Sequence, residues 1–319
     1  MSKKFIPSRD RRPEALEMLW KGCLRGLEDR MSMYIHRMGL ISNFLDERRT
    51  ASISMYLESN FNALMQVAVC NFKKDPPQDI QALRKAFQLF HLAAKLWLLR
   101  RQKENLGYQR PDDLYVSLFH LHGLAAYGQA NFVSDGMTDY LYHYLVKGQI
   151  RDYILDLEAD SAFSAFAGVL LTAAYEKRWP EQFDVPALGN FAGLLVHTQD
   201  APAFEAALVE YCDFRMMQCL GYDSIDSTRR RSSATTKSFF DGQPAWCGVF
   251  PTELFTLQHI VRTTTGRELS LHAPHPLLQT PLMQKPVAFL PVYQDEETDR
   301  IDAFGATEFG RGWMNALSV

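Results

Sequence analysis

Histidines, one cysteine and two runs of carboxylates are the chemically capable side chains of this chain, and their spacing limits what they can do. His120-Leu121-His122 sets two imidazoles close together, but residues two apart on a helix point about 200° apart, so a single site meets only one of them. They read as satisfied or surface histidines. His272-Ala273-Pro274-His275 lies in irregular, proline-rich chain, with Cys247 upstream. Those three residues offer a thiol nucleophile and an imidazole base, or a fragment of a zinc site. Zinc takes four ligands, or three and an open position, and no further ligands appear at a sensible spacing. A carboxylate-bridged metal pair, the usual metal chemistry of a helical bundle, needs Glu-x-x-His on two helices. None of the nine histidines has a carboxylate three residues before it. No glycine is followed by lysine, and neither G-x-S-x-G nor H-E-x-x-H occurs, so phosphate-loop, serine-hydrolase and zincin motifs are absent. The expectation is no catalytic set, no metal and no cofactor.

The carboxylates are denser. Asp295, Glu296, Glu297, Asp299 and Asp302 are offset only by Arg300, and Asp152, Asp156, Glu158 and Asp160 form a second cluster. Asp156 and Asp160 stand four apart on one helix face, where like charges mildly oppose the helix. Two readings stand: a solvated face with a mobile tail, or surfaces that meet a basic partner. In the second, charge raises association rate and specificity more than affinity.

The elements that must carry these groups read as helices almost throughout. With 319 residues and 47 % hydrophobic composition, the chain can bury a large core. Pro13 opens a helix running through Leu16, Leu19, Trp20, Cys23, Leu27, Met31, Tyr34 and Met38, with Gly22 and Gly26 suggesting close approach of a neighbour. Thr50 can cap a second, with the stripe Ile53, Leu57, Phe61, Leu64, Ala68 and Phe72, ended by Asp75-Pro76-Pro77. A third, Gln78 to Lys103, turns Ile80, Leu83, Phe87, Phe90, Ala94 and Trp97 inward and Arg84, Lys85, Lys95, Arg100, Arg101 and Lys103 outward. Helices starting near Asp112, Ser134 and Arg151 follow, then one from Ser161 and one from Asp184-Val185-Pro186 through Leu188, Phe191 and Leu195. Asp200-Ala201-Pro202 is a capped start with proline in the first turn, and Gly221 is a natural stop. Tyr222 to Pro244 reads as an exposed polar loop, and a further helix from Pro251 ends at Gly266. Five prolines between Pro274 and Pro291 forbid a long helix there, and residues 287–293 suit one short strand.

The fold class expected is therefore all-α: a multi-helix bundle or helical array with an irregular proline-rich C-terminal region. It divides into an N-terminal helical region, residues 1–159, and a C-terminal region, residues 160–319, with polar loop 222–244 and an extended tail, or forms one domain. Net charge is −3, so the basic face of the third helix reads as solvated rather than as a nucleic-acid surface. Five scattered cysteines without C-x-x-C read as reduced thiols. No apolar run approaches the ~20 residues that span a bilayer, and the N-terminus lacks a signal-peptide pattern, which together point to the cytoplasm.

One stretch carries a family resemblance. Pro202-Ala203-Phe204-Glu205-Ala206-Ala207-Leu208-Val209-Glu210 is followed, after a loop, by Gly248-Val249-Phe250-Pro251-Thr252-Glu253-Leu254-Phe255-Thr256-Leu257 and then Pro276-Leu277-Leu278. This pattern resembles immunity family forty-nine, the all-helical immunity proteins of bacterial polymorphic-toxin systems. It departs from the family at Gln258-His259-Ile260-Val261-Arg262, where a run of small residues is expected. The resemblance implies a cytoplasmic protein that neutralises a cognate toxin by direct contact, the toxin acting inside the cell as, for example, a nuclease. Many nucleases are basic, which suits Asp152, Asp156, Glu158, Asp160, Asp295, Glu296, Glu297, Asp299 and Asp302 as contact residues. A helical-array scaffold and a hydrolase using Cys247, His272 or His275 are the alternatives.

Overall fold

The fold comes from a computed structural model, which describes residues 7–74, 80–104, 142, 161–227, 229–232, 245–284 and 293–313. Among these residues it is all-α, and a single isolated bridge, Tyr222 to Arg230, stands in for β structure. The helices are α1 (Arg12–Leu24), α2 (Leu27–Asp46), α3 (Thr50–Lys74), α4 (Ile80–Glu104), α5 (Ser161–Glu176), α6 (Val185–Leu188), α7 (Ala192–Val196), α8 (Ala201–Cys219), α9 (Thr252–Thr265), α10 (Pro281–Gln284) and α11 (Glu296–Phe309). Short 3-10 turns at Ala245–Gly248 and Pro276–Gln279 link the later helices.

Local signals place most boundaries. Asp200 caps α8, its Oδ1 accepting from Ala203 N at 3.2 Å, with Pro202 in the first turn. Asp184 does the same for α6. Gly266, at φ +70°, closes α9. The helix expected to run from Pro13 through Met38 is in fact two, because Arg25 is extended and Gly26 adopts φ +67°. Gly22 is not a close-approach site either, since an added Cβ there meets nothing within 4 Å. What holds the corner is Gln66 of α3, whose Nε2 donates to Cys23 O (2.6 Å) and Arg25 O (3.2 Å), two carbonyls freed by the break. The helix expected through Leu188, Phe191 and Leu195 is likewise broken, with Gly189 at φ +50° between α6 and a 3-10 turn leading into α7.

α3 is the central element. It packs along α4 and α2, touches α1, and meets the Ala245–Gly248 turn and α10. Ile53, Leu57, Phe61, Leu64 and Ala68 are buried as their spacing predicts, and Phe61 contacts Phe90 of α4 (centroids 4.6 Å) and Trp246 (5.7 Å). Trp246 Nε1 donates to Asn62 Oδ1 at 3.2 Å, so the indole is buried with its polar atom satisfied. One continuous core joins Ala15, Phe61 and Phe90 to Phe166, Leu208, Leu254 and Leu278, residues from both sides of position 160. On α4 the outer face is not uniformly wet: Lys95, expected in solvent, is 0 % exposed.

The C-terminal region departs most from the sequence reading. Residues 267–275 are irregular, as the prolines require, but the acidic segment beyond them forms the 14-residue helix α11. The expected strand at 287–293 falls almost wholly outside the described residues, as do the helices expected between 105 and 160, Tyr142 excepted. Tyr142 stacks on Tyr175 of α5 (3.9 Å between centroids).

Candidate interaction surface

The acidic segment is ordered by its own side chains. Asp295 is the N-cap of α11: its Oδ1 accepts from Thr298 N, and Thr298 Oγ1 accepts from Asp295 N, both at 2.9 Å, a reciprocal capping box. Glu296, Glu297 and Asp299 occupy the first turn, where carboxylates complement the helix dipole. At the other end Gly310, at φ +94°, reverses the chain and Trp313 folds back. Its indole Nε1 donates to Asp302 Oδ1 at 2.8 Å, and its ring lies so close to Gly305 that any Cβ there would overlap it, at 2.3 Å. Small size is required at position 305.

The helix splits the five acidic residues between two faces. Thr298, Ile301, Phe304 and Gly305 are buried, and Asp295 and Glu297 lie toward that side. Glu296, Asp299 and Asp302 are exposed on the other, with Asp302 also holding Trp313.

What the inward carboxylates meet is the basic side of α4. Lys85 Nζ bonds Asp295 Oδ2 at 2.6 Å and also Glu297. Tyr34 of α2 donates to Glu297 Oε2 (3.5 Å), Tyr293 donates to Asp295 Oδ2 (3.2 Å), and the ammonium lies about 6 Å from both phenol rings. Burial lowers the Lys85 pKa, but the two carboxylate hydrogen bonds outweigh it and hold the lysine above its ordinary value. Burial likewise pushes Asp295 up, and bonds from Lys85 and Thr298 hold it below the usual carboxylate range. Farther along, Glu308 faces Arg48 (3.6 Å) and Lys103 (3.7 Å), and Arg300 donates to Ser42 Oγ at 2.8 Å. The basic face and the acidic segment, separate surfaces in the sequence, are in part each other's partners.

A second charged system lies inside the core, and sequence reasoning missed it. Arg215 of α8 pairs with Glu253 of α9, with only 2 % and 4 % of their side chains exposed. Arg215 also donates to Gly248 O (3.3 Å) and Phe250 O (3.5 Å), while Tyr211 donates to Glu253 Oε1 at 2.8 Å. Two residues away, buried Asp213 takes a forked pair from Arg12 of α1 (2.7 and 2.6 Å) and a contact with His275 Nε2 (3.2 Å). Burial raises the Asp213 pKa, but bonds from His275 and Arg12 hold it below its ordinary value. A usable signal existed: Asp213 and Arg215 interrupt the run Tyr211-Cys212-Asp213-Phe214-Arg215-Met216-Met217, where charges in apolar surroundings imply pairing. These contacts tie α8 to α1, to the approach to α9 and to the turn after His275.

The residues singled out for nucleophilic chemistry each sit in a different setting. His275 is fully buried, its Nδ1 accepting from Leu277 N (3.2 Å) and its Nε2 facing Asp213, so both ring nitrogens are engaged. Burial pushes the Cys247 thiol well up, away from thiolate. His272 is exposed on the rim of an open hollow of about 590 Å³ shared with Glu205, Gln279 and Gln284. Cys23 and Cys70 are buried with sulfurs 3.3 Å apart. Among the described residues no group of three or more His, Cys, Asp or Glu is placed to hold a metal ion, and no helix is long and apolar enough to cross a membrane. His120, His122, Asp152, Asp156, Glu158 and Asp160 lie outside the described residues. Compared with known proteins, the chain matches no family model, no curated protein and no solved structure.

Proposed function

We propose that this is a cytoplasmic immunity-type protein that binds and neutralises a cognate bacterial toxin by protein–protein contact, the toxin being a basic protein such as a nuclease. The observation that carries the reading is the outward face of α11, where Glu296, Asp299 and Asp302 are exposed on a helix capped at both ends. A preordered acidic face speeds encounter with a basic surface and loses little entropy on docking. The internal ion pairs are compatible with this division, since their charges serve the body and leave this face for a partner.

The test is recovery of a one-to-one partner whose expression alone arrests growth and whose toxicity disappears on coexpression with this chain. Glu296→Lys with Asp299→Lys then slows association about tenfold at low salt, with a smaller effect at high salt. Loss of neither rescue nor association rate in that variant places the contact elsewhere. A scaffold reading rests on the same helical body and lacks a groove-specifying repeat motif. The hydrolase reading has less support, given the raised Cys247 thiol and the engaged nitrogens of His275.

A further inference from the structure

Three observations set α11 apart from the rest of the core. It completes its own ends, with the Asp295–Thr298 capping box at one and Trp313 folded onto Asp302 and Gly305 at the other. Its bonding to the body is largely ionic, and one side of most pairs is wet: Lys85 and Glu308 are 16 % exposed, but their partners Glu297, Lys103 and Arg48 are 43 %, 59 % and 67 % exposed. Its fully buried apolar contribution to the shared core is Ile301 and Phe304, one turn apart, with Ala306 and Phe309 half-buried beside them and Trp313 packed back on Gly305 of the helix itself. Exposed ion pairs are individually weak and weaken further with salt.

We propose that α11 is a strap that comes away as a unit, and that the seat beneath it, built from Tyr34, Arg48, Lys85 and Lys103, is a docking surface for an acidic amphipathic helix of which α11 is the resident occupant. The seat dictates the partner's chemistry. It takes a carboxylate at the N-cap and another in the first turn, to meet Lys85, then two apolar residues one turn apart. A further carboxylate follows about three turns on, about 16 Å along the axis, to meet Arg48 and Lys103. This face is distinct from the outward one assigned to a basic partner, so either can fail alone.

The probe is a fluorescein-labelled peptide of residues 293–313 added to the full chain. Asp295→Ala with Glu297→Gln loosens the strap without adding cations. That variant should show amides of α11 exchanging at least tenfold faster while α8 and α9 are unchanged, and should bind the peptide at least tenfold more tightly than the wild type. Lys85→Met frees the strap but removes the seat's central cation, and should bind no better than wild type. A peptide carrying Ile301→Asp and Phe304→Asp should not bind. The proposal is overturned if the loosened variant gains no affinity, if the apolar-broken peptide binds equally, or if α8 and α9 lose protection together with α11.

Discussion

The Arg215–Glu253 pair and the Lys85–Asp295–Glu297 cage use the same chemistry in opposite settings. In the first, both ions are removed from water and their partners include a carboxylate, a phenol and two carbonyls on adjoining segments of the body. In the second, a half-buried lysine meets carboxylates that still reach solvent, on a helix that brings its own caps. A buried pair is not a large net source of stability, because desolvation offsets attraction, but removing one partner leaves a charge with nowhere to go. A half-exposed cage can be opened at modest cost because water takes over each bond. Burial, more than the count of bonds, separates a lock from a latch.

That contrast can be broken at several strengths. Glu253→Gln strands the Arg215 cation, which burial disfavours and Glu253 otherwise sustains, and should cost roughly 3–5 kcal/mol in urea unfolding. Replacing both, Arg215→Met with Glu253→Leu, should recover most of that loss. His259 of α9 gives a pH test of the same region. Burial, assisted by nearby Arg262, lowers its pKa to about 4. The unfolded chain therefore binds a proton that the folded protein refuses, and stability falls as pH drops from about 6.5 toward 4, by up to about 3 kcal/mol. His259→Gln should flatten that limb of the stability–pH curve.

At the cage the effects are smaller. Lys85→Met should cost about 1 kcal/mol, and the loss should appear as faster exchange confined to α11. Asp295, held below the usual carboxylate range, supports the cage above its unfolded pKa and loses that support as pH falls through its folded value. Lys85, held above its ordinary value, supports it below the usual lysine range and loses that support only on strong alkalinisation. The protection of α11 relative to intrinsic amide exchange should therefore fall in acid and hold through neutral pH. Glu296→Lys with Asp299→Lys should also cost about 1 kcal/mol, because each puts a cation in the first turn of α11, where the helix dipole favours a carboxylate.

The helical fold was legible because apolar spacing and end signals agree at Asp200-Ala201-Pro202, Gly266 and the stripe Ile53 to Ala68. Gly26 is ambiguous in the sequence because a glycine in a helical pattern signals either close packing or a break, and only the backbone tells which. α11 is hard to read because proline upstream and dense charge downstream resemble an extended tail, while its large apolar residues are only Ile301, Phe304 and Phe309. The pairing of α4 with the acidic segment could not be read at all. Charge complementarity between segments far apart in the chain becomes visible only when the fold brings Lys85 to Asp295.

Native-state hydrogen exchange under rising denaturant tests the contrast most directly. α11 amides should exchange through an opening several kcal/mol below global unfolding, with a denaturant dependence much smaller than the global one, while α8 and α9 exchange only by global unfolding. A single shared opening energy for α8, α9 and α11 would contradict the division between lock and latch.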